Sequence, residues 1–174
     1  MKLSYLVKGL PGHPLHPPLT DATIGIYTFA TVAAVLSTLG VAEHNLARAW
    51  WLALVVGLVT TALTALTGLI DWLGIERGTE LWKTATMHMI AMLSATVVFL
   101  IAAIAGHNGY TEGEIYTGGV VLTLAGFALL TLGGWLGGAV VFTYGMRVLN
   151  LVDEPAVRAA SPVPHPEKEA AEGG

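Results

Sequence analysis

The chain has 174 residues, 54% of them apolar and only 11% charged, with no cysteine and a formal net charge of −4. An ordinary soluble domain carries about 25% charged residues, so this composition excludes one of useful size. The acidic balance and the lack of a basic stripe argue against nucleic-acid binding, and the missing cysteines exclude disulfides, thiolate zinc sites, iron–sulfur ligation and a cysteine nucleophile.

The charges that exist are unevenly placed. None lies in Ala22–Ala42, Ala49–Ile70, Thr84–Thr111 or Ile115–Met146. A helix needs about 20 apolar residues to cross a hydrocarbon core of about 30 Å, and each block is long enough. The first is too long for the apolar stretch of a cleaved signal peptide, about 7–15 residues. In chain order the sequence predicts an opening His-Pro segment over residues 1–18 and a bundle over 19–150. The four spans fall at about 20–42, 49–70, 86–106 and 118–146, and a disordered tail follows over 151–174. All eight prolines fall outside Leu19–Glu154, which fits uninterrupted helices. Short links make successive helices antiparallel neighbours, so the expected fold is all-α, an integral membrane four-helix up-down bundle. No internal repeat is convincing in the sequence itself.

Lysine and arginine counts orient the spans. Lys2, Lys8, Arg77, Lys83, Arg147, Arg158 and Lys168 fall on one side, Arg48 alone on the other. That places both termini and the Asp71–Lys83 link in the cytoplasm. Trp50, Trp51, Trp72 and Trp82 fall near the two surfaces, as interfacial belts require. Trp135 lies well inside span four and is expected to pack within the bundle. Beside it, Gly133/Gly137 and Gly134/Gly138 form two overlapping small-xxx-small pairs, which allow close approach of another backbone or of a flat cofactor.

Few residues can carry chemistry. In Gly12-His13-Pro14-Leu15-His16-Pro17-Pro18 the prolines favour polyproline geometry, about three residues per turn. That pitch projects His13 and His16 from one side, as paired metal ligands or as one ligand and one proton carrier. An interfacial collar solvated by headgroups is the plainer alternative. His88 sits near the start of span three among Met87, Met89 and Met92, where an intramembrane imidazole should face the interior and have a partner. Asp71 closes span two, where a carboxylate opposes the helix dipole. It calls for a partner, Arg77, Lys83, Arg147 or a histidine, and could instead orient a ligating imidazole. The topology brings His13, His16, Asp71, Arg77, His88 and Arg147 to one membrane face. Spans one and three are diagonal in an up-down bundle, so a histidine at the head of each could hold one cofactor between them. A b-type haem suits that geometry: His16 (or His13) and His88 as axial ligands, Asp71 orienting one, Arg77 and Arg147 neutralising propionates. His44 and His107 lie at the opposite face.

Several of these stretches resemble a bacterial family of four-span predicted membrane proteins, domain of unknown function 2231. The likeness rests on Gly12-His13-Pro14-Leu15-His16-Pro17, Ile24-Gly25, Gly68-Leu69-Ile70-Asp71-Trp72, His88-Met89, Gly134-Trp135-Leu136-Gly137-Gly138 and Tyr144-Gly145. The chain departs from it at Ala22-Thr23, where relatives commonly read Phe-Pro, and at Ala139, where a polar residue is frequent. Some members are joined to Rieske iron–sulfur domains, so the resemblance implies membrane redox work in a bacterial inner membrane. The expected function is binding of haem b or a metal, with electron transfer to a quinone or to a Rieske or cytochrome partner. The rival is a cofactor-free accessory subunit packed among other membrane subunits of a respiratory or photosynthetic complex. A transporter is disfavoured, because no acidic or basic residue lies at mid-depth.

Overall fold

A computed structural model describes residues 9–10 and 13–148. The tail over 151–174, with Arg158 and Lys168, lies outside the described residues, as do Lys2, Lys8 and Gly12. A two-residue ladder opens the chain: β1 (Gly9–Leu10) pairs antiparallel with β2 (His13–Pro14), Gly9 opposite Pro14. Four long helices follow, α1 (His16–Thr38), α2 (Glu43–Leu73), α3 (Glu80–Ala105) and, after the short α4 (His107–Glu112), α5 (Thr117–Gly138). The last continues as a π-helical turn, Ala139–Thr143. All four long helices are apolar enough to cross a membrane. The protein is an all-α, multi-pass membrane four-helix bundle.

The helix ends differ from the expected spans, for two physical reasons. A charge-free block measures the hydrocarbon, whereas a helix continues into the headgroups; α2 accordingly runs for 31 residues and includes Glu43, Arg48 and Asp71. At the start of α1, Pro17 and Pro18 occupy the first turn, where the missing N–H has no intrahelical acceptor anyway and φ is already helical. The polyproline rod expected over His13–Pro18 is therefore corrected: the ladder ends at Pro14 and the helix begins at His16.

Packing is uneven around the ring. α1 lies closely on α2 and α3 on α5, while the seams between these two hairpins are looser. The hairpins are built alike. Tyr27 of α1 lies over Gly57 of α2, and Phe99 of α3 lies over Gly126 of α5. His16 lies over Gly68, and His88 over Gly137. Corresponding positions are 72 residues apart in α1 and α3, and 69 apart in α2 and α5. The two equivalent rings, Tyr27 and Phe99, stack on each other with centroids 4.0 Å apart and planes 6° from parallel. The hairpins are thus related as if by a two-fold axis along the bundle, the parallel-repeat arrangement of many membrane proteins. This corrects the expectation that the chain has no repeat.

At the end where α2 begins, the bundle is filled. Trp50 is fully buried and lies against Gly106 and Gly119, and its indole N–H donates to Thr123 Oγ1 at 2.9 Å. Small residues set the approach of the helices elsewhere, notably Ala30, Ala34, Ala95 and Ala102, all buried. Threonines join α1 to α2: Thr23 to Thr64 and Tyr27 to Thr61, each at 3.0 Å. Trp135 does not pack inside, as expected from its sequence position. Its 75% exposure points it at lipid, since Gly133 and Gly137 face α3 and a residue two positions away lies on nearly the opposite side of the helix.

Candidate functional site

At the other end, where α1 begins and α5 finishes, the seam between the hairpins opens into a cavity of about 490 Å³. Sites for small ligands and cofactors fall in the range of about 300–1,000 Å³. Its walls are apolar over most of their area and include Ile24, Met92, Leu93 and Val141, with Gly134 and Gly138 of α5 forming a side-chain-free stretch. Both His16 and His88 line it. The up-down topology allows a histidine at the head of α1 and one at the head of α3 to share such a cavity.

Each ring is held the same way. His16 Nδ1 lies 3.1 Å from the Thr64 carbonyl oxygen and 3.3 Å from Thr67 Oγ1. His88 Nδ1 lies 2.7 Å from the Gly133 carbonyl oxygen. A carbonyl only accepts, so Nδ1 is the donor in both rings, which in the neutral tautomer leaves the lone pair on Nε2. No described residue hydrogen-bonds either Nε2. The acceptor in each case is four residues before the glycine under the ring, Thr64 before Gly68 and Gly133 before Gly137. A helix carbonyl already receives the N–H four residues on; the missing side chain at that position lets an imidazole reach its second lone pair. A Cβ on Gly68 would come within 2.6 Å of His16 Cε1, and one on Gly137 within 2.9 Å of His88 Cε1.

The four glycines singled out in the sequence therefore divide. A Cβ on Gly133 or Gly137 would meet Met92 or His88 of α3, whereas one on Gly134 or Gly138 would meet nothing closer than 3.9 Å; Gly134, Gly137 and Gly138 all line the cavity. One pair packs the hairpin and the other opens the site.

The remaining expected site residues fare differently. Asp71 is buried and forms an ion pair with Arg147, whose side chain is 38% exposed. Pairing with Arg147, one of the partners expected for it, is what the structure gives; the orienting role is corrected, since backbone carbonyls hold both imidazoles. Arg147 lines the cavity with its guanidinium on Asp71. Arg77 is exposed on the link between α2 and α3 and does not line the cavity. Sharing a membrane face did not bring it to the site. His13 is exposed on β2 and is likewise absent from the lining. The helical start at His16 turns the two histidines apart. At the far end His44 Nδ1 lies 2.9 Å from the Gly113 carbonyl oxygen, and His107 packs against Trp51; these histidines tie loops down.

The chain belongs to the DUF2231 family. The family is described as Predicted membrane protein, and its model matches residues 12–150. That range spans both hairpins and all four long helices. No curated protein and no solved structure matches the chain.

Sequence reading missed three parts of the site. Thr64 and Gly133 act through their carbonyls, which no residue type announces. Asp21 lines the cavity within the first turns of α1. The 4-3 rhythm of Trp50, Leu54, Gly57, Thr61, Thr64, Gly68 and Asp71 along α2 was available as a signal, since it traces the inward seam of a bundle helix. Finally, residues 144–148 turn back over the cavity. Arg147 has φ +64° and Gly145 φ +65°; a left-handed non-glycine residue costs roughly 1–3 kcal/mol and marks a functional constraint when it persists.

Proposed function

We propose that this membrane protein holds a b-type haem between His16 and His88 and passes electrons to a quinone or to a partner complex. The reading rests on one observation: two imidazoles, each with Nδ1 at hydrogen-bond distance from a backbone carbonyl, line one apolar cavity, and no described residue hydrogen-bonds either Nε2. Metal-bound histidines are oriented through the second ring nitrogen in this way. Among the described residues no group of three or more histidine, aspartate or glutamate side chains forms a metal-holding cluster. Two imidazoles related by a two-fold axis suit a macrocycle that needs only two axial ligands, and Gly134 and Gly138 leave room for its flat face. Bound there, the haem iron would supply one-electron chemistry. His16 and His88 would hold it, Thr64 and Gly133 would fix their ring orientation through Nδ1, and the apolar walls would exclude water. The excess of lysine and arginine at this end supports a site on the cytoplasmic side of a bacterial inner membrane.

One observation favours the alternative, a cofactor-free accessory subunit: Arg147, the one basic side chain among the residues lining the cavity, is engaged by Asp71. The same measurement separates the two readings. Detergent-purified protein reconstituted with haem b should show a Soret band that sharpens and shifts on dithionite reduction, lost in His16→Ala and in His88→Ala. A full-length protein whose spectrum is unchanged by both substitutions, or that takes up no haem, would sink the haem reading.

A further inference from the structure

The two hairpins match through Gly68 and Gly137, and there the likeness ends. α2 continues as regular helix past Asp71 to Leu73, whereas α5 passes into the π-helical turn Ala139–Thr143 and then doubles back. Tyr144 N–H donates to the Ala139 carbonyl at 3.1 Å and Met146 N–H to the Val140 carbonyl at 3.2 Å. The left-handed Gly145 and Arg147 make that return. The π-helical turn supplies Val140, Val141 and Phe142 to the cavity wall, and the returning residues supply Met146 and Arg147. Two side-chain links join it to the rest of the bundle, the Asp71–Arg147 ion pair and the Thr84 hydroxyl on the Tyr144 hydroxyl at 3.3 Å. Phe142, at the rim, is 88% exposed, so little packing opposes its movement.

We infer that Val140–Val148 is a strap over the cavity, latched by Asp71 and Arg147, and that release of the latch admits the ligand. The inference rests on the cavity being the ligand site. π-Helical turns are rare and cluster at functional positions; this one replaces the very turn that the other hairpin keeps regular. One half of the latch is buried and the other half-exposed, so Arg147 can leave for water while Asp71 stays.

The absence of cysteine gives a direct test. Ala85 is buried at 7% exposure and lines the cavity, so Ala85→Cys places a single thiol behind the strap. In the full-length, haem-free protein in nanodiscs, its rate of reaction with a water-soluble maleimide should rise about tenfold when Asp71→Asn or Arg147→Gln removes the latch. Tyr144→Phe, which loosens the weaker link, should raise it less. A thiol on the exposed link, Arg77→Cys, should react at one rate throughout. Equal Ala85→Cys rates with and without the latch, in variants of unchanged helical content, would overturn the strap. If both latch variants fail to fold, an unchanged rate in Tyr144→Phe overturns it. Because the labelling uses no haem, a missing Soret band would sink the cofactor and leave the strap standing, and equal labelling rates would do the reverse.

Discussion

The two ends of the bundle use the same small residues for opposite purposes. At the Trp50 end, glycines make room for aromatic rings that the protein itself supplies: Trp50 lies against Gly106 and Gly119, Phe99 over Gly126 and Tyr27 over Gly57. At the His16 end, Gly68 and Gly137 each carry an imidazole, but Gly134 and Gly138 carry nothing and the space beyond them stays open. In a membrane, helices gain little from burying apolar surface against one another, since lipid is equally apolar; close packing and hydrogen bonds hold them together. A cavity of about 490 Å³ in such a bundle forgoes packing that the other end shows the fold can achieve. The filled end therefore carries the stability, and the open end is free to carry function.

The sharpest way to break that comparison is to empty the filled end. Trp50→Ala removes a fully buried ring and leaves the Thr123 hydroxyl without its indole donor. A buried Trp→Ala change costs about 3–5 kcal/mol, so the detergent-solubilised protein should lose much of its thermal stability. His88→Ala, a truncation next to space that already exists, should cost clearly less, on the order of 1 kcal/mol for one hydrogen bond to a carbonyl. Unfolding midpoints in denaturant measure both. Equal losses would mean that the open end is as structural as the filled one.

The next effect is specific to the site. Gly137→Leu puts a side chain where a Cβ alone would come within 2.9 Å of His88 Cε1, so the ring must leave the Gly133 carbonyl. Gly68→Leu should do the same to His16 at the Thr64 carbonyl. Overpacking of this kind costs about 1–3 kcal/mol, and each variant should also lose the haem absorption of the reconstituted protein. Gly138→Ala is the control. A Cβ there would have its nearest contact at 4.0 Å, so the stability of the haem-free protein should stay close to that of the parent. A Gly138→Ala protein as impaired as Gly137→Leu would refute the division of the glycines into a packing pair and an open pair.

Which of these features could be read beforehand follows from the physics that governs each. Four spans were legible because charge is expelled from hydrocarbon, and that same rule left the helix ends blurred, as the 31 residues of α2 show. That His16 and His88 could line one cavity was legible because topology alone makes α1 and α3 diagonal. The neighbours of Asp71 were not so sharply legible, since Arg77, Lys83 and Arg147 share its surface and nothing in composition ranks them. The repeat was hidden for another reason. Apolar residues interchange freely against lipid, so most paired positions of the two hairpins differ in type, and the match shows at a few of them, among them His16 and His88, Gly57 and Gly126, Gly68 and Gly137. Trp135 misled because depth along the span does not say which face a residue takes, and here Gly133 and Gly137 on either side of it are the ones that turn to α3.

The smallest expected effect tests the boundary of the open end itself. His13 and Arg77 share the membrane face of His16 and Asp71, and by residue type alone they belong to the same cluster. Both are exposed and neither lines the cavity. Exposed substitutions away from packing and hydrogen-bond networks fall within about 0.5 kcal/mol, so His13→Ala and Arg77→Ala should leave both the denaturation midpoint and any haem spectrum unchanged. The pairing matters more than either result singly. If His13→Ala abolished the spectrum while His16→Ala preserved it, the ligand would sit on the β-ladder outside the bundle, and the matched carbonyl-and-glycine cradles beneath His16 and His88 would be packing devices only. If His16→Ala abolishes it and His13→Ala does not, the site lies within the bundle, at the place where its two halves meet.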